Sequence, residues 1–354
     1  MSRFLRDYTP LNFVKMNNKK IKKVTNGKIN KKDKEWLGGF FDGDGSILVY
    51  KDHISLEATT GMDDEGILTW IKKNFGGSIT SRSGAKALRW RSRKHDVVIK
   101  FLKEIQGYLY NPIRIKQFKK ALVYLTSEKD NFNLIEPKQL GSPCTPSFFF
   151  EPLSKTVQEK KMIDLYEIPA LHFIALGGGR GEDRKTSKKL SSPISRDSAY
   201  LSGFLDADGT ISISTGRTSL PNHLTNISGE YGKVQRLIFS KGANQLQIKC
   251  SCKEKVLIES IFKNMGFGSI FMETRNSKRT PNSIWHWIVP NSEIYPFINY
   301  IEQNPLRGYK KKRRFHLIKR YLYLKQNKYH LSDESSLQFK KWKKFCYEWY
   351  NIQS

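Results

Sequence analysis

The sequence predicts an α+β chain of two pseudo-symmetric αββαββα units, each with a four-stranded antiparallel sheet, joined by a pair of helices. The first observation is repetition: WLGGFFDGDGSI at 36–47 returns as YLSGFLDADGTI at 200–211, and IKKNFGGSI at 71–79 as IFKNMGFGSI at 261–270. A third element follows in each half, NPIRIKQFKKALVYL from Asn111 and NPLRGYKKKRRFHLI from Asn304. Two copies in the same order are a duplication, not a solenoid, which needs more copies at a shorter period. The second observation is spacing. Paired strands joined by hairpin-length connections leave no room for parallel crossovers. The third is size and composition: 354 residues with 38% hydrophobic side chains support two real cores.

Residues 1–34 carry nine Lys and two Arg against Asp7 and Asp33 and show little apolar periodicity after Val14, which reads as a basic N-terminal arm. A transit peptide is the alternative, but the arm is rich in Lys and Asn rather than Arg and Ser. The first unit spans 35–130. Its pattern gives a helix over 33–43, strands over 46–51 and 53–60, a helix over 64–74, strands over 78–83 and 87–93, and helices over 95–105 and 114–125. Residues 131–196, with Pro137, Pro143, Pro146, Pro152 and the run Gly177-Gly178-Gly179, read as a linker holding at most one short helix near 154–165. That Gly run is no phosphate loop, because no Gly-Lys-Ser/Thr follows. The second unit, 197–328, repeats the first with about 26 extra residues around 213–243, read as a longer hairpin or loop. Residues 329–354 form a C-terminal helical extension.

The chain holds 62 Lys+Arg against 33 Asp+Glu, a formal charge of +29. A surplus of that size implies a polyanionic partner, nucleic acid before an anionic membrane surface. No apolar run approaches the length of a membrane span, and no secretory apolar segment opens the sequence. Cys144, Cys250, Cys252 and Cys346 contain no C-x-x-C pair, so structural zinc is not indicated. Lys outnumbers Arg 44 to 18. With abundant Asn, Ile, Phe and Tyr, that bias suits an A+T-rich coding sequence and hints at an organellar genome.

In the repeated helices, Gly39 and Gly43, and Gly203 and Ala207, lie four apart on one face. Glycine inside a helix costs about 1 kcal/mol, so close packing of the two helices is expected to offset it. Each helix ends in Asp-Gly, Asp44-Gly45 and Asp208-Gly209, with the glycine expected in a left-handed cap. A carboxylate in the last turn faces the negative end of the helix dipole, and two brought together repel unless a divalent cation sits between or beside them. The pattern therefore suggests a pair of hard-cation sites.

LGGFFDGDG and LSGFLDADG resemble the two motif copies of a single-chain LAGLIDADG homing endonuclease, over roughly 36–125 and 200–322. The resemblance implies that Asp44 and Asp208 bind Mg²⁺ or Mn²⁺ beside the backbone carbonyls of Gly43 and Ala207, while Asp42 and Asp206 are structural. It implies double-strand cleavage across the minor groove, leaving short 3′ overhangs. Metal-activated water and oxyanion stabilisation are what phosphodiester hydrolysis requires. Counted from Pro112 and Pro305, the resemblance assigns the active-site lysines to Lys116 and Lys310, with Lys311 a close alternative. Family members often place Gln, or another polar residue that orders water, after the second strand. Spacing to Gly76 and Gly266 puts Met62 and Cys252 there, and neither orders water well.

Arg89, Arg91 and Arg93 alternate on one face of their strand, with Trp90 turned toward the helices. Lys51, His53 and Ser55 alternate with apolar residues in the same way, as do Gln245, Gln247 and Lys249. Such ribbons enter the major groove, where Arg reads guanine and Gln reads adenine. Arg82, Arg275 and Arg279 are weaker members of the set. The expected function is thus a sequence-specific, metal-dependent DNA endonuclease acting as a monomer on a long asymmetric double-stranded site, encoded by an organellar intron. An intron-RNA-binding maturase of the same fold is the alternative, and a non-catalytic DNA-binding regulator ranks last.

Overall fold

A computed structural model describes residues 29–127, 194–215, 229–240, 244–276 and 281–351. In the first unit α1 (Lys31–Asp44) leads into β1 (Gly45–Val49) and β2 (Ile54–Gly61). A 3-10 turn (Met62–Asp64), α2 (Glu65–Phe75), β3 (Ser78–Ser81), β4 (Ala87–Ser92), α3 (His95–Ile105) and α4 (Pro112–Ser127) follow. The sheet is antiparallel in the order β1-β2-β4-β3.

The second unit holds α5 (Tyr200–Asp208), β5 (Gly209–Ser214), α6 (Gly229–Phe239), β6 (Gln245–Cys252) and α7 (Lys255–Met265). It continues with β7 (Ser269–Asn276), β8 (Pro281–Val289), α8 (Ile294–Gln303), α9 (Tyr309–Gln326) and α10 (Leu337–Tyr350). Its sheet runs β5-β6-β8-β7, the same order as the first. The arm over 1–28, nearly all of the linker, Cys144 and Arg279 lie outside the described residues.

The described part of the 213–243 insertion contains α6 rather than only a hairpin or loop. Val234, Leu237 and Ile238 share its buried face, a spacing that is helical. That face receives α10, whose Trp342 donates through Nε1 to Ile238 O at 3.1 Å. The extension after 329 thus packs on an element that the first unit lacks.

Each sheet buries one face under its own helices. In the first unit Trp90, Phe75 and Phe41 converge on Phe101, with ring centroids 5.4, 4.8 and 4.9 Å away. Trp90 also donates to Gly76 O at 2.8 Å, and its counterpart Trp287 donates to Phe267 O at 3.0 Å. These bonds satisfy the indole N–H, the usual requirement for burying Trp. The opposite face carries Glu57, Arg89 and Arg91 in the first sheet, and in the second Gln245, Gln247 and Lys249 together with Phe271 and Ile288. No described helix is long and apolar enough to cross a membrane.

Candidate nucleic-acid-cleaving centre

Helices α1 and α5 meet backbone to backbone. A Cβ on Gly39 would lie within 3.0 Å of Tyr200 O and Phe204 N, and one on Gly203 would lie equally close to Trp36 O and Phe40 N. One turn further on, a Cβ on Gly43 would strike Ala207 Cβ and come within 3.0 Å of Asp208 Oδ2. The small residues therefore set the helix spacing, and Gly43 leaves the room that the Asp208 carboxylate occupies. Both helices run out at this point and deliver Asp44 and Asp208 to the floor between the two sheets.

Gly45 and Gly209 do not adopt the expected left-handed cap: their φ/ψ are −89/164 and −79/153, extended backbone open to any residue. Space selects glycine here. A Cβ would collide with the Phe41 ring in one copy and with the Leu205 backbone in the other.

Burial, and behind it the charge of Asp208, pushes the Asp44 carboxyl up to about 7. Burial raises Asp208 as well, while Lys311 and Arg114 pull both groups back down. The earlier acid of each motif is built differently. Asp42 Oδ2 accepts Tyr110 N at 2.6 Å, Asn111 N at 3.0 Å and, from the other unit, Tyr200 Oη at 2.6 Å. Asp206 accepts Arg307 N at 2.7 Å, Gly308 N at 3.1 Å and Trp36 Nε1 at 2.9 Å, again across the helix pair. Asp42 and Asp206 therefore anchor the start of each unit's last long helix and tie the two units together.

These cradles fix the true correspondence between the copies. Tyr110-Asn111 matches Arg307-Gly308, so Arg114 matches Lys311. The side chains confirm the alignment independently: Arg114 donates to Phe41 O and Gly43 O, both at 3.3 Å, and Lys311 Nζ to Asp206 O at 2.6 Å and Ala207 O at 2.8 Å. Gln117 accepts Ile47 N at 3.2 Å, where Arg314 reaches Ile211 O at 2.8 Å.

The cations facing the acid pair are thus Arg114, in place of the expected Lys116, and Lys311, the alternative to Lys310. Lys116 is exposed on α4. Lys310 points at Asp63, 3.9 Å away, while its backbone N–H donates to Asp64 Oδ1 at 3.3 Å. The error arose from aligning the Asn-Pro dipeptides. Asn111 caps α4, its Oδ1 accepting Ile113 N at 3.0 Å, whereas Asn304-Pro305 lies before the Gly308 cap of α9. Matching the caps would have found Arg114.

The pairing of Met62 with Cys252 also fails. Gly45 pairs with Ala58 and Gly209 with Cys250, so the residue equivalent to Cys252 is Thr60. Thr60 is buried and its hydroxyl donates to Gly61 O at 3.2 Å, while Met62 is 54% exposed on the 3-10 turn. Cys252 does approach the acids. Burial first, and the charge of Asp208 among lesser causes, raises its thiol.

On the open sheet faces, Glu57 sits between two of the expected arginines, 2.7 Å from Arg91 Nε and 3.6 Å from Arg89 Nη1. Arg93 is exposed just past the end of β4. Lys51 and His53 fall in the β1–β2 turn rather than on a strand, with His53 2.8 Å from Asp52 and stacked on Tyr50. Arg82 is exposed in the β3–β4 turn. Ser55 is fully buried opposite Leu48, so it is not available for readout as expected. In the second unit Gln245 and Gln247 are exposed and Lys249 half-buried on one face of β6. Arg275 lies on β7 in register with Asn282. His286 was missed: it is held between Ser251 Oγ at 2.8 Å and Glu273 Oε2 at 3.1 Å. Its place on the open face follows only from strand register, since Trp285 and Trp287 on either side mask the alternation.

The donor set suits a hard cation. Two carboxylates that disfavour their own charges stand beside the Gly43 and Ala207 carbonyls, each with a second lone pair beyond the one Arg114 or Lys311 uses.

Residues 201–322 match the family model described as LAGLIDADG endonuclease. The chain is 28% identical over 334 residues to a probable intron-encoded endonuclease aI2 of Debaryomyces hansenii, and 25% identical over 319 residues to the intron-encoded RNA maturase bI4 of Saccharomyces cerevisiae. Those alignments cover 92% and 90% of this chain but 39% and 36% of the relatives, so the chain spans well under half of their length. An intron-encoded DNA endonuclease ai2b of Dictyostelium discoideum is 25% identical, covering 91% of this chain and 90% of the relative. Among solved structures, the fold matches the I-AabMI meganuclease bound to uncleaved DNA at a TM-score of 0.51 and 17% identity, covering 88% of this chain and 98% of that one. It also matches I-SmaMI bound to cleaved DNA at 0.51 and 20%, covering 90% and 97%.

Proposed function

We propose, for a chain whose residues 201–322 match the LAGLIDADG endonuclease family model and whose fold matches solved meganuclease structures, that it is a sequence-specific, divalent-metal-dependent DNA endonuclease encoded by an organellar intron. The observation that carries this reading is the delivery of Asp44, half-buried, and Asp208, open to solvent, to one floor by helices that touch through Gly39 and Gly203. The two open sheets flanking that floor follow a duplex on either side of the cleavage point. Both motifs lie in one chain, so it acts as a monomer.

When bound, Mg²⁺ or Mn²⁺ would activate water and stabilise the departing oxyanion. Asp44 and Asp208 would hold it, with the Gly43 and Ala207 carbonyls beside them. Arg114 and Lys311 then supply fixed positive charge next to the scissile phosphates, where charge builds in the transition state. Asp42 and Asp206 take no part in the chemistry; they hold in place the helix starts that aim those two cations. Glu57 orients Arg89 and Arg91, and Gln245, Gln247 and Lys249 face the second half-site.

A maturase that binds its intron RNA is the second reading, favoured by the similarity to an RNA maturase over most of the chain and by Cys252, rather than a water-ordering side chain, beside Asp208. Affinity for duplex DNA carrying the joined exons, measured against salt, tests the first. A log-log slope on the order of −6 to −10 is expected for about 7 to 11 neutralised phosphates. A slope near −2, or tighter binding to the intron RNA than to the duplex at every salt concentration, would reject it.

A further inference from the structure

The two open sheet faces are chemically unlike at equivalent positions. Register fixes the correspondence: Gly45 opposite Ala58 matches Gly209 opposite Cys250, so Glu57 matches Lys249 and Thr59 matches Ser251. Across the next ladder Arg91 opposite Glu57 matches Ile288 opposite Lys249, and Arg89 opposite Thr59 matches His286 opposite Ser251. On the outer strand Thr80 matches Phe271. Where the first unit presents two guanidinium groups and a hydroxyl, the second presents isoleucine, a buried imidazole and an exposed ring.

The second face is built to stay so. His286 is clamped on both ring nitrogens by Ser251 and Glu273 and is 4% exposed, and Phe271 stacks on it with centroids 6.0 Å apart and planes 21° apart. Phe271 is 55% exposed and has Ile284 and Ile288 on the same face of the neighbouring strand. In the first unit, Glu57 accepts from Arg91 Nε at 2.7 Å, and the Arg91 side chain stays 36% exposed.

Each surface matches a different edge of the major groove. A fixed guanidinium fork pairs with the O6 and N7 acceptors of guanine, whereas an apolar ring or methyl has only the thymine C5-methyl to contact there. Gln245 and Gln247 on the same second face pair with adenine. We propose that the target site is compositionally asymmetric: the half under the first unit places guanines at Arg89 and Arg91, and the half under the second unit is A·T-rich, with thymine methyls seated on Phe271 and Ile288. This deepens the endonuclease reading and rests on it.

The test selects duplexes from a randomised pool with the full chain in metal-free buffer, then alters single atoms in the selected site. Uracil in place of thymine removes only the methyl. It should weaken binding about fourfold at each contacted position of the second half, the worth of one buried methyl. Phe271→Ala, a surface change that leaves the core intact, should erase that penalty. Replacing guanine with 7-deazaguanine in the first half should cost about tenfold, a loss abolished in Arg91→Ala. A selected site whose halves have the same composition, or uracil bound as tightly as thymine, would overturn the asymmetry and leave the endonuclease reading standing. Enrichment of no sequence at all would overturn both.

Discussion

Asp44→Asn and Asp208→Asn should each abolish double-strand cleavage, with a loss on the order of a thousandfold, while duplex binding is kept or tightened. On the proposed reading each carboxylate serves metal chemistry, and without metal it only repels nearby phosphates. Stability should move the other way. Asp44 is held up to about 7, so the folded chain keeps a proton that the unfolded chain releases near its ordinary value of 3.8. The stability this confers is complete below that value and is lost as pH rises through 7. Asp44→Asn escapes the loss, so at pH 8 it should be more stable than wild type by about 2 to 4 kcal/mol and at pH 4 no more stable. Urea unfolding at the two pH values reads this without DNA. An Asn variant that still linearised a target plasmid, or equal stabilities at pH 8, would show that Asp44 is not the half-buried, charge-strained acid described.

Gly39→Leu or Gly203→Leu should destabilise the chain by more than about 3 kcal/mol, beyond the usual cost of overpacking, because the obstacle is backbone. Even a Cβ would meet Tyr200 O or Trp36 O closer than any van der Waals contact allows, and a carbonyl in the facing helix cannot rotate aside. Separating the helices would also break the Asp42–Tyr200 and Asp206–Trp36 bonds between the units. Gly66 is the internal control. A Cβ there meets nothing within 4 Å, so Gly66→Ala should instead gain about 1 kcal/mol from helix propensity. Chemical denaturation of the three variants separates the cases, and a Gly39→Leu protein as stable as wild type would disprove the helix contact.

The glycines that join the units were legible because glycine, twice at the same place in a helix, costs stability unless a second backbone needs the space it leaves. Why Gly45 and Gly209 are glycine was not legible, since a requirement for positive φ and a requirement for space leave the same letter. The strand faces followed from alternation, including Trp90 inward and Arg89 and Arg91 outward. Alternation does not report what covers a face, so Ser55 was placed in solvent although it is buried, and Glu57 was not seen as the partner of both arginines. Lys116 was read in place of Arg114, and Lys310 ahead of its alternative Lys311, because the two Asn-Pro pairs look homologous in sequence. The chain instead keeps its geometry through the backbone N–H groups that Asp42 and Asp206 accept. A four-residue slip is invisible without those bonds. Helix α6 was missed although Val234, Leu237 and Ile238 have helical spacing, because no counterpart in the first unit prompted it.

Whether the paired acids between the two sheets form a metal-dependent centre for cutting DNA is tested most directly by incubating the full wild-type chain with a duplex spanning the intronless insertion site, with and without Mg²⁺, and following both strands. Cleavage of both strands that requires Mg²⁺, and that Mn²⁺ also supports, is the expected result. Tight binding to a duplex left intact in Mg²⁺ and in Mn²⁺, with splicing of the host intron promoted equally by wild type and by the Asp44→Asn and Asp208→Asn variants, would contradict it.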